Sequence, residues 1–181
     1  MVAILLGTGF EEVEAISPCD LLRRAGVETR FVGLDAKTVV GGHGIAVEAD
    51  CVLSELDPSE IEMVVLPGGL GGVNSILACD AAMELIEKTW NTGKYIAAIC
   101  AAPTILAKLG ITDGKQATCY PGMENQMGAA QMVPGAPAVR DGKLVTGRAA
   151  GTAMDFGLCL IETLRDADTA EQVKQSVFYC A

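Results

Sequence analysis

Short apolar runs alternate with stretches of helical periodicity along this chain, and that alternation leaves few folds open to it. Val2–Leu6 and Met63–Leu66 are apolar throughout, and Glu28–Leu34 and Lys94–Ile99 mostly so. Runs of this length are short for helices and suit strands buried on both faces. Between them lie helix-type patterns. One begins at Glu12, places Arg23 and Arg24 in its last turn and closes at Gly26, with Pro18 inside it as an expected kink. Others cover Ala81–Trp90, Ala101–Leu109, Gly151–Leu164 and Thr169–Val177. Lys37–Val52 alternates around Gly41-Gly42-His43-Gly44 and reads as a small hairpin excursion. Ala117–Cys119 and Ala138–Thr146 read as extended, the second turning at Asp141-Gly142.

Strands separated by helices imply parallel pairing through helical crossovers, hence a doubly wound α/β fold with a mostly parallel sheet and helices on both faces. With 181 residues and no visible repeat or linker, one domain over 1–181 is expected. In such sheets ligands bind beyond the carboxyl ends of the strands. That directs attention to residues 7–14, 67–74 and 99–103.

Composition removes several classes of function. Half the residues are hydrophobic, which argues against disorder. A net charge of −10 repels phosphate backbones and anionic lipid, so neither nucleic acid nor membrane is an expected partner. One Trp, three Tyr and four Phe are too few for base-stacking platforms. No apolar run approaches the roughly 18 residues of a membrane span. The amino terminus lacks a positive region before its apolar stretch, so it reads as the start of a cytoplasmic protein. The seven cysteines are odd in number and none form a C-x-x-C pair; with His43 the sole histidine, neither a disulfide framework nor a zinc cluster is expected.

Three segments could carry chemistry. Gly7-Thr8-Gly9-Phe10-Glu11-Glu12 begins like a dinucleotide fingerprint, but Glu12 stands where the third glycine belongs. The acids at 11, 12 and 14 would repel a pyrophosphate. Glu11 and Glu12 read instead as solvated acids favoured by the helix dipole, while Glu14 could turn toward the sheet edge. Pro67-Gly68-Gly69-Leu70-Gly71-Gly72 has no P-loop spacing. It reads as a strand-to-helix turn whose exposed N–H groups could hold an oxyanion. Ile99-Cys100-Ala101-Ala102-Pro103 places a thiol between a strand and a helix among small residues, the pattern of a nucleophile elbow. A helix start favours the thiolate, so the thiol is expected below about 8.5. The expected base is Glu14, because His43 lies in the hairpin and reads as a surface residue. Tyr120 reads first as an aromatic packed at a strand end, with a place near the site as the alternative. Cys119 reads as core.

These segments together resemble the DJ-one/ThiJ/PfpI superfamily, in particular its parkinsonism-associated deglycase-like branch. The resemblance rests on GTGFEEVEAISPCDLLRRAG, VVLPGGLGG, AAICAAPTILA and VTGRAAGTAMDFGLCLIETL in that order, and spans nearly the whole chain. It implies a flavodoxin-like three-layer α/β sandwich, a nucleophile at Cys100 and a protonated acid at Glu14. It also implies backbone donors at Gly69 and Ala101, a structural or near-site role for Arg148, no metal or organic cofactor, and a homodimer. Members that carry a T-H-P segment have a histidine where this chain has Tyr120, and a phenol is a poor base at neutral pH. The peptidase branch has a histidine directly after its nucleophile; here that residue is Ala101, so proteolysis is disfavoured.

The activity implied is cofactor-free conversion of a small α-oxoaldehyde to a hydroxy acid (methylglyoxal to lactate), or hydrolysis of early glycation adducts. The alternative is a non-catalytic oxidative-stress sensor or chaperone in which Cys100 passes to sulfinic acid. An unreactive structural homologue is the third reading.

Overall fold

The computed structural model describes residues 1–180. β1 (Val2–Leu6) leads through a short loop into α1 (Glu12–Arg24), and β2 (Thr29–Gly33) follows. The excursion contains β3 (Thr38–Val40) and β4 (Ala46–Glu48), followed by β5 (Cys51–Val52). Next come β6 (Met63–Leu66), α2 (Leu70–Leu77), α3 (Asp80–Asn91), β7 (Tyr95–Ile99) and α4 (Pro103–Lys108). Then follow β8 (Gln116–Ala117), β9 (Gln131–Met132), β10 (Ala138–Asp141), β11 (Leu144–Gly147), α5 (Ala153–Leu164) and α6 (Ala167–Ser176).

Seven strands form the central sheet in the order β10-β11-β7-β6-β1-β2-β5. Every pair in it is parallel except β10–β11, which turns back at Asp141–Leu144 as an antiparallel edge. The pleat sorts side chains between two cores. Val2, Ile4, Leu6, Met63, Val65, Ala97, Ile99 and Val145 face one layer, where they meet Leu21 and Leu22 of α1 and Phe156, Leu160 and Ile161 of α5. Ala3, Leu5, Val64, Leu66, Ile96, Ala98 and Leu144 face the other, against Val73 and Ile76 of α2, Ala82 and Ile86 of α3, and Ile105 and Leu106 of α4. The fold is the expected three-layer, flavodoxin-like α/β sandwich. No helix among the described residues is long and apolar enough to cross a membrane.

Three local expectations change. The excursion contributes β5 to the main sheet as well as forming the β3–β4 hairpin. Residues 70–77 form a helix although Gly71 and Gly72 lie in its first turn, because burial of Val73 and Ile76 outweighs glycine's low propensity. α1 carries Pro18 inside it, as expected, over 13 residues and packs along α5. α4 begins at Pro103, so Cys100 lies in a tight turn ahead of the helix.

Candidate active site

The ends of β6 and β7 and the start of α1 meet at one point. β6 delivers Pro67 and Gly68, whose backbone is bonded to α1 twice. Glu11 N–H donates to Gly68 O at 3.0 Å, and Gly68 N–H donates to Glu14 Oε2 at 2.8 Å. These bonds fix Glu14 above the strand ends, where it is completely buried. Only glycine fits at 68, since a Cβ there would lie 2.6 Å from Glu14 Oε2 and 2.7 Å from Cys100 Cβ. Gly69 has φ +80°, which aims the backbone toward the same point.

β7 delivers Cys100. Its N–H donates to Gly147 O at 3.0 Å, and its carbonyl accepts from Tyr120 N–H at 2.7 Å. Between these anchors Cys100 has φ +66°, a left-handed conformation for a residue with a Cβ. That conformation costs on the order of 1–2 kcal/mol and is the mark of a nucleophile elbow. Ala102 N–H closes the turn on Ile99 O at 3.1 Å.

The carboxyl and the thiol are coupled. Burial raises Glu14, against hydrogen bonding from Cys100 and Gly68, and the Glu11 charge adds to the rise; the carboxyl is brought from its ordinary 4.5 to about 7. Glu14 Oε1 has no hydrogen-bond partner of ordinary geometry. A protonated carboxyl resolves this, because its O–H can donate to the sulfur. Burial also pushes the Cys100 thiol up, to about 12, with Glu14 adding its charge and its hydrogen bond; the N–H groups of Ala101 and Gly69 pull the other way. The thiol therefore departs from the expectation of a value below about 8.5, since burial and an adjacent carboxylate outweigh the turn's backbone donors. Two of the causes that raise it vanish once Glu14 takes a proton. Cys19, Cys119 and Cys159 are also raised, chiefly by burial, to about 11. What sets Cys100 apart is its carboxyl partner and its facing N–H groups.

Cys100 opens onto a cavity of about 510 Å³ shared with Glu11, Gly69, Leu70, Ala101 and Tyr120. Glu14, Cys100, Gly69, Ala101 and Tyr120 thus converge. Arg148 does not line the cavity: it lies half-buried one residue beyond β11, its N–H on Pro137 O at 3.0 Å. Tyr120 corrects the reading of a packed aromatic. Its backbone is consumed by Cys100, which leaves the ring at the cavity wall and 47% exposed. Cys119 is core, as expected.

One further reading changes nearby. Glu12 is only 3% exposed, not a solvated first-turn acid. Its Oε1 accepts from His43 N–H at 2.8 Å and Ile45 N–H at 3.4 Å, and its Oε2 lies 2.9 Å from His43 Nδ1. Burial works to raise it, but these donors, the His43 ring first, outweigh burial and hold the carboxyl at about 2. The same contact, with the Glu11 charge, raises the exposed His43. Glu11, Glu12 and His43 also bring three ligand atoms within 4.8 Å, a cluster hidden in the sequence by the separation of 31 positions from Glu12 to His43. A cation there would have to displace the proton of the His43–Glu12 contact.

The description of the DJ-1/PfpI family matches residues 1–163. The chain belongs to that family. Protein dj-1beta of Drosophila melanogaster is 36% identical over 96% of this chain and 94% of its own length. Its crystal structure superposes with a TM-score of 0.93, covering 99% of this chain and 98% of that one. A protein of Pyrococcus abyssi named a deglycase is 34% identical over 83% of this chain and 90% of its own. The structure described as Toxoplasma gondii DJ-1, oxidized, superposes with a TM-score of 0.94 at 30% identity, covering 99% of this chain and 98% of that one. The family carries deglycase, glyoxalase and stress-response readings, which differ in what reaches the cysteine.

Proposed function

We propose that this DJ-1/PfpI protein is a cofactor-free, cysteine-dependent enzyme acting on small α-oxoaldehydes such as methylglyoxal, or on their glycation adducts. One observation carries the reading: a thiol on a strained turn, at the wall of a cavity, beside a buried carboxyl with an unpartnered oxygen. Glu14 carboxylate takes the Cys100 thiol proton as the sulfur adds to the aldehyde carbon and passes it to the resulting oxyanion, which Gly69 and Ala101 N–H groups face. This gives a neutral hemithioacetal and frees the carboxylate again. Glu14 carboxylate removes the proton from that carbon and returns it to the neighbouring carbon through an enediol. The aldehyde carbon is thereby oxidised and the ketone carbon reduced, leaving a thioester of the hydroxy acid. Water cleaves the thioester, and the released lactate carries away the added oxygen while the thiol is restored. The proton shuttle falls to Glu14 because Tyr120 occupies the family's histidine position. The name of the Pyrococcus relative supports the adduct branch of the same chemistry.

Lactate formation from methylglyoxal, without glutathione or added metal, tests this. Turnover by the native chain, lost in Cys100→Ser and in Glu14→Gln, is expected; turnover surviving in Cys100→Ser overturns it.

A second reading is favoured by the oxidised state of the Toxoplasma relative. Cys100 thiolate attacks peroxide, the O–O bond breaks, water leaves, and a second equivalent takes the sulfenic acid to sulfinic acid. Protonated Glu14 would donate a hydrogen bond to the oxidised sulfur. Selective oxidation of Cys100 with no aldehyde turnover would establish it.

We assign a homodimer as the working assembly. Val13 and Ile16 stand exposed on α1, and Val40 and Ile45 on the β3–β4 hairpin, as apolar surface a second copy would cover. A monomeric mass in sedimentation equilibrium at micromolar concentration would remove that assignment. With all seven cysteines free, a reducing, cytoplasmic setting is assigned, checked by fractionation.

A further inference from the structure

We propose that the cavity beside Cys100 selects carbonyl substrates bearing a bulky, uncharged apolar group, aromatic for preference, with Tyr120 and Leu70 setting that specificity. This rests on the enzymatic reading above and narrows its substrate class.

Size is the first argument. Methylglyoxal has five heavy atoms and needs about the room of three waters, roughly 90 Å³. The cavity holds about 510 Å³, within the range of sites that enclose far larger ligands. Methylglyoxal would fill only a small part of that space.

The wall is the second argument. Leu70 is 66% exposed and Tyr120 47% exposed, and both line this cavity together with Pro121 and Met123. Apolar side chains held open at the mouth of a reactive site stay wet until something apolar covers them. The wall is also held in place before any ligand arrives. Tyr120 N–H is bonded to the Cys100 carbonyl, Met123 N–H to Tyr120 O at 3.0 Å, and Gly122 N–H to Glu124 Oε2 at 2.8 Å. Little ordering is left for binding to impose. The backbone bond to Cys100 holds Tyr120 next to the nucleophile in the same cavity, within reach of a substituent on a carbonyl compound bound at the sulfur.

Charge is the third. The polar side chains lining the cavity, apart from Cys100 and the Tyr120 hydroxyl, are Glu11 and Gln126; no Lys, Arg or His lines it among the described residues. Glu11 thus puts a carboxylate in the lining, which disfavours a carboxylate or phosphate on the substrate.

The test compares kcat/KM for phenylglyoxal, methylglyoxal and 4-carboxyphenylglyoxal with the full chain. Phenylglyoxal is expected to lead methylglyoxal by about tenfold or more, and the carboxylated analogue to fall below phenylglyoxal by a similar factor. In Tyr120→Ala the phenyl-to-methyl ratio should drop toward one, while Tyr120→Phe keeps it; Leu70→Ala should lower it partway. Equal use of both aldehydes by the native chain, or a ratio unmoved by Tyr120→Ala, overturns the proposal and leaves the enzyme reading intact. If neither aldehyde turns over, the enzyme reading fails, and alkylation of Cys100 decides the cavity's preference. N-phenyliodoacetamide should then react severalfold faster than iodoacetamide, with the advantage lost in Tyr120→Ala. Equal alkylation rates overturn the proposal.

Discussion

Glu12 and Glu14 stand two residues apart in the first turn of α1, are both buried, and end as opposite kinds of group. Glu12 meets two backbone N–H groups and a histidine ring; Glu14 meets one backbone N–H and the Cys100 thiol, with Oε1 otherwise unpartnered. One is held at about 2 and the other at about 7. Burial works upward on both. The difference teaches that depth and the number and charge of the facing donors together decide which buried acid keeps its proton: Glu14 lies deeper and is served by fewer donors. The fully served acid fastens the hairpin to α1, and the under-served one is left with a proton to use.

The largest break in that comparison is catalytic. Glu14→Gln should lower aldehyde turnover by about 10²–10⁴-fold, while Glu12→Gln should stay within about threefold of the native chain. The same Glu14→Gln change should speed alkylation of Cys100 near pH 8, because it removes the negative charge that raises the thiol. Slower alkylation in Glu14→Gln would mean that the Glu14 carboxylate favours the thiolate instead of raising the thiol.

Next comes stability against pH, where the two acids should pull in opposite directions. Glu14 is raised in the fold, so the folded chain holds its proton more tightly, and stability is lost as pH rises from about 4.5 through about 7. At roughly 1.4 kcal/mol for each tenfold change in proton affinity, this amounts to about 3 kcal/mol. Denaturant melts of Glu14→Gln should lack that loss. Glu12 is depressed, so its contribution is present above about 4.5 and lost as pH falls through about 2. Glu12→Gln should cost about 2 kcal/mol at pH 7, and the gap should close in acid.

The smallest effect belongs to His43→Ala. His43 is exposed and its pKa is raised by Glu12 and Glu11, so its contribution is full below its ordinary 6.5 and disappears as pH rises through the raised value. A small drop in melting temperature at pH 6, absent at pH 9, is the expected result; equal drops at both would remove the ion pair from the account. Faster amide exchange in 41–45 should accompany it.

What the sequence made legible follows from how local each signal was. β1, β6 and β7 are apolar runs whose strand character needs no partner to read. The elbow at Cys100 was visible because strand, thiol, small residues and proline follow within a few positions. α2 was hidden, since Gly71 and Gly72 suppress a helical pattern that burial of Val73 and Ile76 restores. The two-residue strands β5, β8 and β9 have no period to detect. Glu12 was misread because its partners arrive from a hairpin 31 residues away. For Tyr120 the near-site alternative is the one the structure bears out, and the backbone bond to Cys100 that places it there is encoded by no local pattern. Glu14 was singled out by position, but its orphaned oxygen belongs to the assembled site alone.

The left-handed backbone at Cys100 bears on how such a chain can change over generations. Glycine accepts that conformation freely, so Cys100→Gly removes the reacting group and relaxes the turn in one step. Selection for folding alone would push toward glycine at this position, and selection for chemistry must hold the cysteine against it. A descendant released from its chemistry should therefore lose the cysteine early and become the more durable protein for it.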